Sequence, residues 1–354
     1  MAGAGPLSGV RVLEFAGIGP GPFCCMLLAD MGAEVVRIGR PGPGSRDPVL
    51  GRGRHEVGLD LKDPAVIDDC LKAIEKADVL IEGFRPGVME RLGLGPDQAL
   101  GRNPRLIYGR MTGWGQEGPL AQAAGHDINY IAITGALSPI GPVGAVSQPP
   151  LNLVGDFGGG SLYLAYGIAS ALFEREQSGK GQVIDAAIVD GAASLMAMFC
   201  GVRLSREKGQ RLLGGDAPFY RCYACADGRE ISVGALEPQF YEDLVRLTGA
   251  ERHPNQHRSD PANWADLNAA FEALFKTKTQ TEWCAILEGT DACFGPVLDL
   301  AEAPEHPHMK ARGVFETHQG VTQPAPAPRL SRTPGAIQAS DENGAAVLSR
   351  WRGA

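Results

Sequence analysis

The sequence predicts an α/β protein with a Rossmann-like parallel-sheet large domain and a smaller α+β domain. In the first third of the chain, short runs of β-forming residues alternate with helical stretches. This alternation is typical of a parallel sheet with crossover helices. Beyond Arg221 the pattern changes to mixed strands and helices. The length of 354 residues is sufficient for two domains.

Local patterns justify the individual elements. β-Branched and aromatic runs indicate strands, and apolar residues recurring every three to four positions indicate helices. The clearest helix opens at the Gly-rich stretch 155–160, continues through Leu164, Ile168 and Leu172, and ends at Gly179. Strands are predicted at 10–15, 34–38, 56–61, 77–81, 105–111, 182–186, 219–225 and 230–234, and helices at 23–30, 64–76, 155–178, 187–204, 238–247, 264–276 and 280–287.

We place the large domain at 1–188, completed by 315–354, and linker helices with the small domain at 189–314. A Pro-rich stretch at 323–328 is expected to be an extended connector.

Composition excludes several classes of protein. With 44 % hydrophobic and 21 % charged residues, the chain is typical of a globular protein. A net charge of −8 argues against a nucleic-acid partner. No apolar run reaches the roughly 18 residues of a membrane span. The N-terminus lacks a signal-peptide pattern and the C-terminus lacks a Ser-Lys-Leu address, so a cytoplasmic location is expected.

Cysteine and histidine spacing predicts no metal. Eight cysteines without a secretory signal indicate reduced thiols. The pair Cys222 and Cys225 lacks a second pair, and the His306-Pro307-His308 stretch lacks a third ligand.

Two turns and one arginine at predicted strand ends are candidate phosphate-binding sites. The turn 17–22 stands where a dinucleotide fingerprint belongs, but Pro22 replaces its last glycine. Arg40, after the second strand, suits a phosphate of NADP or coenzyme A, or is simply solvated. The turn 83–87, with Arg85 and Arg91, lies where open α/β sheets bind ligands, and a purely structural turn fits it equally well.

Two acid–base groups stand out. His126 is a candidate base, because histidine side chains commonly take up and return protons in catalysis, although a core histidine is the alternative. Asp156 is expected at a helix N-terminus, either as an N-cap or as a second base beside backbone amides that could hold an enolate oxygen. Glu237, at a strand-to-helix junction, either begins the helix or orients the imidazole.

Together these motifs resemble the α-methylacyl-CoA racemases of the family III CoA-transferase superfamily, and especially the bacterial forms. The resemblance runs over nearly the whole chain. It is carried by 6–12, 37–40, 60–62, 81–87, 110–116, 125–130, 151–160 and 237–241.

The resemblance implies an isomerase that interconverts (2R)- and (2S)-2-methylacyl-CoA through an enolate, with no cofactor besides the CoA of the substrate. It implies an interlocked homodimer with active sites at the subunit interface. It assigns His126 and Asp156 as the acid–base pair and Glu237 as a support for His126 from the other subunit. The implied substrate and CoA contacts are Arg40, Leu59, Asp60, Leu61, Lys62, Gly83, Phe84, Arg85, Pro86, Gly87, Arg91, Gly125, Asp127, Ile128, Asn129 and Tyr130.

Two departures from the family pattern concern the CoA site. Gly39 stands where an aspartate is expected, and Phe84 where a tyrosine is expected.

The main alternative is a CoA transferase of the same superfamily, with Asp127 as the nucleophile. The histidine at 126 argues for the racemase, because transferases generally lack it. An NADP-dependent oxidoreductase is disfavoured by the broken fingerprint, and a catalytically silent CoA-binding protein by the presence of all three acid–base positions.

Overall fold

A computed structural model describes residues 5–42, 47–141, 145–201, 212–250, 258–338, 340 and 342–353. The chain forms two compact units, which divide between 136 and 137, 149 and 150, 196 and 197, and 311 and 312. The domain boundaries given above stay predictions. Among the described residues, no helix is both long and apolar enough to cross a membrane.

Six parallel strands form the sheet of the larger unit. They are β1 (Arg11–Phe15), β2 (Glu34–Gly39), β3 (Arg54–Gly58), β4 (Val79–Glu82), β5 (Ile107–Thr112) and β6 (Gln182–Ala187). Their order is β3-β2-β1-β4-β5-β6. This is the doubly wound order of a Rossmann-like fold, so the predicted fold class is confirmed.

Helices cover both faces of this sheet. Along β1, Val12 packs with α1 (Pro20–Asp30) and α6 (Leu162–Ser178), whereas Leu13 packs with α2 (Pro64–Ile74) and the C-terminal helix Gly344–Arg352. Adjacent strand residues face opposite sides, so both faces need apolar residues. The alternation in the sequence therefore reflects a three-layer structure.

Capping residues fix the ends of these helices. The Asp63 side chain accepts a hydrogen bond from Ala65 N–H, and Pro64 occupies the first turn of α2. Gly179 ends α6 in the left-handed region, as its position in the sequence indicates.

Several elements were missed or misplaced by sequence reasoning. The third strand is Arg54–Gly58 rather than 56–61. It pairs with β2 from Arg54, opposite Val35, to Gly58, opposite Gly39, where β2 itself ends. The helices α3 (Val88–Arg91), α4 (Pro96–Arg102) and α5 (Asp127–Ile133) were not predicted. The first two residues of the predicted connector, Gln323 and Pro324, belong instead to the strand Val321–Pro324, which pairs with Phe315–His318 as an antiparallel ribbon.

The helix predicted at 155–178 begins earlier and changes type. Leu153–Ser161 is a π-helix, and α6 continues from Leu162. The helix predicted at 187–204 is α7 (Ile188–Leu195) followed by Ala197–Gly201, and 202–204 lie outside the described residues.

The smaller unit is built on a three-stranded antiparallel sheet, with Glu230–Gly234 between Tyr220–Ala224 and Phe294–Pro296. Its principal helices are Pro238–Thr248, Trp264–Phe275 and Gln280–Leu287. Aromatic side chains dominate its core; they include Phe219, Tyr223, Tyr241, Trp264, Phe271, Phe275 and Trp283.

Candidate active site

An open cavity of about 740 Å³ lies at the carboxyl ends of β1, β4 and β5 in the larger unit. The sheet order reverses between β1 and β4, and open α/β sheets bind ligands at this switch point. The volume falls within the roughly 300–1,000 Å³ of small-molecule sites. His126, Asn129, Tyr130 and Asp156 all line this cavity.

His126 reaches the cavity because it is the N-cap residue of α5, with extended backbone angles. The Asn129 side chain accepts a hydrogen bond from the His126 N–H at 3.1 Å. The Tyr130 hydroxyl donates to the Gly125 carbonyl, and its ring meets Trp114 edge-on at 4.8 Å. These contacts fix the turn that carries the imidazole.

Gly113 and Gly125 make room for the Tyr130 ring. A Cβ atom at Gly113 would lie 2.0 Å from that ring, and one at Gly125 would lie 2.7 Å from it. The tyrosine predicted as a CoA contact is therefore also part of the wall beside His126.

Asp156 lies in the first turn of the π-helix rather than at the N-terminus of α6. Its N–H donates to Asp127 Oδ2 at 2.6 Å, and the Phe157 N–H donates to the Asn152 carbonyl at 3.1 Å. The predicted use of the helix-end amides for an enolate oxygen is therefore wrong for these two amides. Each of them already has a partner.

The glycines after Asp156 serve packing between helices. A Cβ at Gly191 on α7 would lie 1.8 Å from the Gly159 carbonyl oxygen, and one at Gly160 would lie 3.0 Å from Ile188. The backbones of the π-helix and α7 therefore meet directly. At Gly159 and Gly160 the space beside the backbone is therefore filled by neighbouring protein atoms.

The Asp156 carboxyl lies beside the turn after β1. A Cβ at Gly19, whose φ is +69°, would lie 3.0 Å from Asp156 Oδ2. Phe23, in the first turns of α1, stacks on Phe157 at 4.1 Å. The turn at 17–22 thus lines the acid–base site although it fails as a dinucleotide fingerprint.

The surroundings of Asp156 in the cavity raise its pKa. Burial raises the pKa of Asp156 to about 6, the Asp127 carboxylate adds to the rise, and His126 opposes it. Burial also raises the pKa of Tyr130, with a further contribution from Asp156. A carboxyl with a pKa near 6 can both accept and return a proton close to neutral pH.

Asp127 does not line the cavity. Its side chain is 8 % exposed, and Oδ2 accepts the Asp156 N–H. Oδ1 is buried and has no hydrogen-bond partner among the described residues. The adjacent His126 and Asp127 therefore point to different surroundings.

A buried ion pair supports the turn at 83–87. Glu82 accepts a hydrogen bond from Phe84 N–H at 2.7 Å and from Arg110 Nε at 3.0 Å, and Arg110 continues to Glu90 at 2.8 Å. Gly83, Phe84, Arg85 and Pro86 line the cavity. The side chains of Glu82, Arg110 and Glu90, which the sequence analysis did not single out, thus stabilise the turn.

The other predicted contacts lie outside the cavity lining. Leu59 and Leu61 pack against the core, while Asp60 and Lys62 are exposed. Arg40, Arg91 and Ile128 are exposed, and Gly87 is the left-handed N-cap of α3 with Arg91 beside it. Gly39 is half-buried, and a Cβ there would meet only ordinary contacts.

Glu237 belongs to the smaller unit. It is the N-cap residue of the helix Pro238–Thr248, and its side chain is exposed. Its predicted support of His126 from another subunit stays a prediction. Among the described residues, no group of three or more His, Cys, Asp or Glu side chains could hold a metal ion.

Sequence reasoning missed several cavity residues, among them Thr112, Trp114 and Ile188. A signal was available for the first two. Thr112 ends β5 and Trp114 follows it, at the edge where ligands bind in this fold class.

Fold and site together define a doubly wound α/β protein with a histidine and an aspartate on one cavity at its switch point. The family model of "CoA-transferase family III" matches residues 7–341, and the chain belongs to that family. Two curated relatives are named α-methylacyl-CoA racemase. The Mus musculus protein is 47 % identical over 333 residues, and the Homo sapiens protein is 48 % identical over 335 residues; each alignment covers 93 % of this chain and 87 % of the relative.

Solved structures agree with this membership. A CAIB/BAIF family protein from Brucella suis has a TM-score of 0.84 at 27 % identity, covering 98 % of this chain and 100 % of that one. Rv3272 from Mycobacterium tuberculosis has a TM-score of 0.78 at 28 % identity, covering 97 % and 98 %.

Proposed function

We propose that this chain is an α-methylacyl-CoA racemase, an isomerase that interconverts (2R)- and (2S)-2-methylacyl-CoA. The observation that carries the proposal is the pair His126 and Asp156 on one cavity at the switch point of the sheet. The identity of 47–48 % to proteins named for this activity supports it.

In the proposed mechanism, one of the two groups removes the α-proton as a base, and an enolate forms. The other group, acting as an acid, then delivers a proton to the opposite face of the same carbon. His126 and Asp156 exchange these roles when the reaction runs in reverse. The pKa of Asp156, raised to about 6, allows this carboxyl both to take up and to release a proton close to neutral pH.

Substrate binding is proposed to follow the turn 83–87. Arg85 lines the cavity, and Arg40 and Arg91 are exposed. Arginine forks suit the phosphates of CoA. The remaining contacts implied by the resemblance, at 59–62 and at 125–130 apart from the buried Asp127, are part of the proposal.

Several further parts of the proposal depend on the sequence. We propose an interlocked homodimer in which Glu237 of one subunit supports His126 of the other, and no cofactor beyond the CoA of the substrate. The assignment to the bacterial forms of the racemase and the cytoplasmic location belong to it as well.

The test is incubation of the purified protein with one epimer of a 2-methylacyl-CoA in D₂O. Deuterium should enter the α-carbon while the epimer ratio approaches equilibrium. His126→Ala and Asp156→Asn should each slow inversion by about 10²–10⁴-fold, the usual contribution of a general acid or base. Asp190→Asn, which alters an exposed carboxylate on α7, is the matched control.

The transferase alternative predicts a different product. An aspartate nucleophile would move CoA to an added carboxylate without exchange at the α-carbon. The burial of Asp127 and its absence from the cavity lining disfavour this alternative. Transfer without deuterium incorporation would overturn the racemase proposal.

A further inference from the structure

A direct hydrogen bond joins Asp127 to the backbone of Asp156. The Asp156 N–H donates to Asp127 Oδ2 at 2.6 Å, between residues 29 positions apart in the chain. Hydrogen bonds to a charged acceptor are shorter and stronger than neutral ones. This bond therefore connects α5, which carries His126, to the π-helix, which carries Asp156.

The protein makes room for this contact at Gly155. A Cβ atom there would lie 2.5–2.8 Å from three atoms of the Asp127 carboxyl group. Real Cβ atoms do not approach so closely, so a side chain at 155 would displace Asp127. The absence of a side chain at Gly155 therefore allows the Asp127 carboxylate to lie against the backbone.

The Asp127 carboxylate is only partly satisfied. Its side chain is 8 % exposed, and Oδ1 is buried without a hydrogen-bond partner among the described residues. A buried polar atom without a partner costs free energy, so the arrangement calls for a reason other than stability. Charge acting on Asp156 supplies one, because a nearby like charge disfavours ionisation.

We propose that Asp127 is a positioning residue for proton transfer at Asp156. Its carboxylate accepts the hydrogen bond that fixes the Asp156 backbone, and its negative charge disfavours ionisation of the Asp156 carboxyl. The inference rests on the proposed racemase function, and it gives Asp127 a role other than that of a nucleophile or a direct CoA contact.

Few other charges act at this place. His126 opposes the rise in the pKa of Asp156, and Tyr130, whose own pKa Asp156 raises, stands on the same helix as Asp127. The helix α7, which packs against the π-helix, carries one carboxylate, Asp190, and its side chain is exposed. Removing the charge of Asp127 should therefore lower the pKa of Asp156, with burial alone left to raise it.

The test compares Asp127→Asn with Asp127→Ala. Asparagine keeps a hydrogen-bond acceptor and removes the charge, whereas alanine removes both. We expect kcat for inversion to fall about tenfold in Asp127→Asn and about a hundredfold in Asp127→Ala, with KM unchanged within about twofold. Residues that orient metal ligands contribute about 10–100-fold, and we expect the same scale from a residue that orients Asp156.

The pH profile provides the readout that a merely structural role would not move. Asp156→Asn first identifies the epimer whose α-proton Asp156 removes, since exchange of that epimer in D₂O should stop. For this epimer, the acid limb of the exchange rate in Asp127→Asn should move to lower pH by about one unit. A wild-type profile and kcat in Asp127→Asn would overturn the proposal.

Two further variants complete the design. Gly155→Ala should reproduce the kinetic defect from the other side of the contact, which keeps the proposal testable if a variant at 127 folds poorly. Asp185→Asn is the matched control, because Asp185 accepts the Gln116 N–H at 3.1 Å and does not line the cavity. An equal loss of kcat in Asp185→Asn would overturn the proposal.

Failure of the proposed function is distinguishable from failure of this inference. Wild-type protein that does not exchange the α-proton contradicts the racemase itself. Exchange in the wild type, with normal exchange in Asp127→Asn, contradicts only the role of Asp127. CoA transfer that Asp127→Asn abolishes would identify a nucleophile and overturn both.

Discussion

Replacing Asp156 by asparagine should stabilise the fold at neutral pH while it removes activity. The carboxyl is partly desolvated, and the Asp127 carboxylate adds to the rise of its pKa to about 6. An ionised group in such a place is less favourable in the folded state than in the unfolded chain. Asparagine has nearly the same shape and carries no charge, so the free-energy cost of the partly buried charge disappears.

The magnitude follows from the shift. The pKa of Asp156 rises from 3.8 to about 6, and each unit corresponds to about 1.4 kcal/mol, which gives roughly 3 kcal/mol at neutral pH. Solvent reaches part of the side chain and reduces this figure to about 1–2 kcal/mol. Because the folded pKa lies above the unfolded one, the folded carboxyl holds its proton longer. The destabilisation is absent below about pH 4, grows between pH 4 and 6, and is complete above pH 6.

Urea unfolding at fixed protein concentration measures the effect. At pH 7.5, Asp156→Asn should exceed the wild type by about 1–2 kcal/mol in the free energy of unfolding, and the difference should vanish near pH 4. Asp190→Asn, at an exposed first-turn carboxylate of α7, should lose no more than about 0.5 kcal/mol. A destabilised Asp156→Asn at pH 7.5, or a gain that does not depend on pH, would refute the reasoning.

Three further changes test the framework of the site. Gly191→Ala places a methyl group against the neighbouring backbone and should cost about 2–3 kcal/mol in urea unfolding, whereas Gly101→Ala on α4, with open space around its Cβ, should gain about 0.5–1 kcal/mol. Glu82→Gln weakens the buried pair with Arg110; we expect a loss of about 2–3 kcal/mol and a higher KM for the CoA thioester. Tyr130→Phe removes one partly buried hydrogen bond, so the free energy of unfolding should fall by about 1 kcal/mol and kcat should fall at nearly constant KM. Equal stability of the two glycine variants would contradict the first expectation. An unchanged KM in Glu82→Gln would contradict the second, and a change in KM without a change in kcat in Tyr130→Phe would contradict the third.

Much of the fold could be predicted because its signals are local. The strand β1 and its neighbours are short apolar runs, and the turn 83–87 follows a strand directly, so its place at the ligand-binding edge follows from topology. His126 and Asp156 were singled out by their chemistry, and both line the cavity.

The π-helix could not be predicted in the same way. Gly155 to Gly160 resemble a helix N-terminus, because aspartate and glycine are frequent there. The structure starts this helix at Leu153, where tertiary contacts decide the backbone: Gly159 meets Gly191, and Asp127 holds the Asp156 amide. Contacts between distant segments leave no periodic trace in the sequence.

Asp127 illustrates a second limit. It stands next to His126, and the sequence gives no measure of which side chain faces the ligand. The N-cap geometry at His126 decides this, and it turns one side chain outward and the other inward. The resemblance implied one kind of substrate contact for the whole stretch 125–130, but within it His126 lines the cavity and Asp127 is buried outside the cavity lining.

The crossing at Gly159 and Gly191 places an unusual demand on anyone who would redesign this enzyme. Neither residue has a functional group, yet the spacing of two main chains determines where the Asp156 carboxyl stands. Libraries that randomise only the walls of the cavity would leave that spacing untouched. Enlarging either residue would shift that carboxyl before any new substrate was tried.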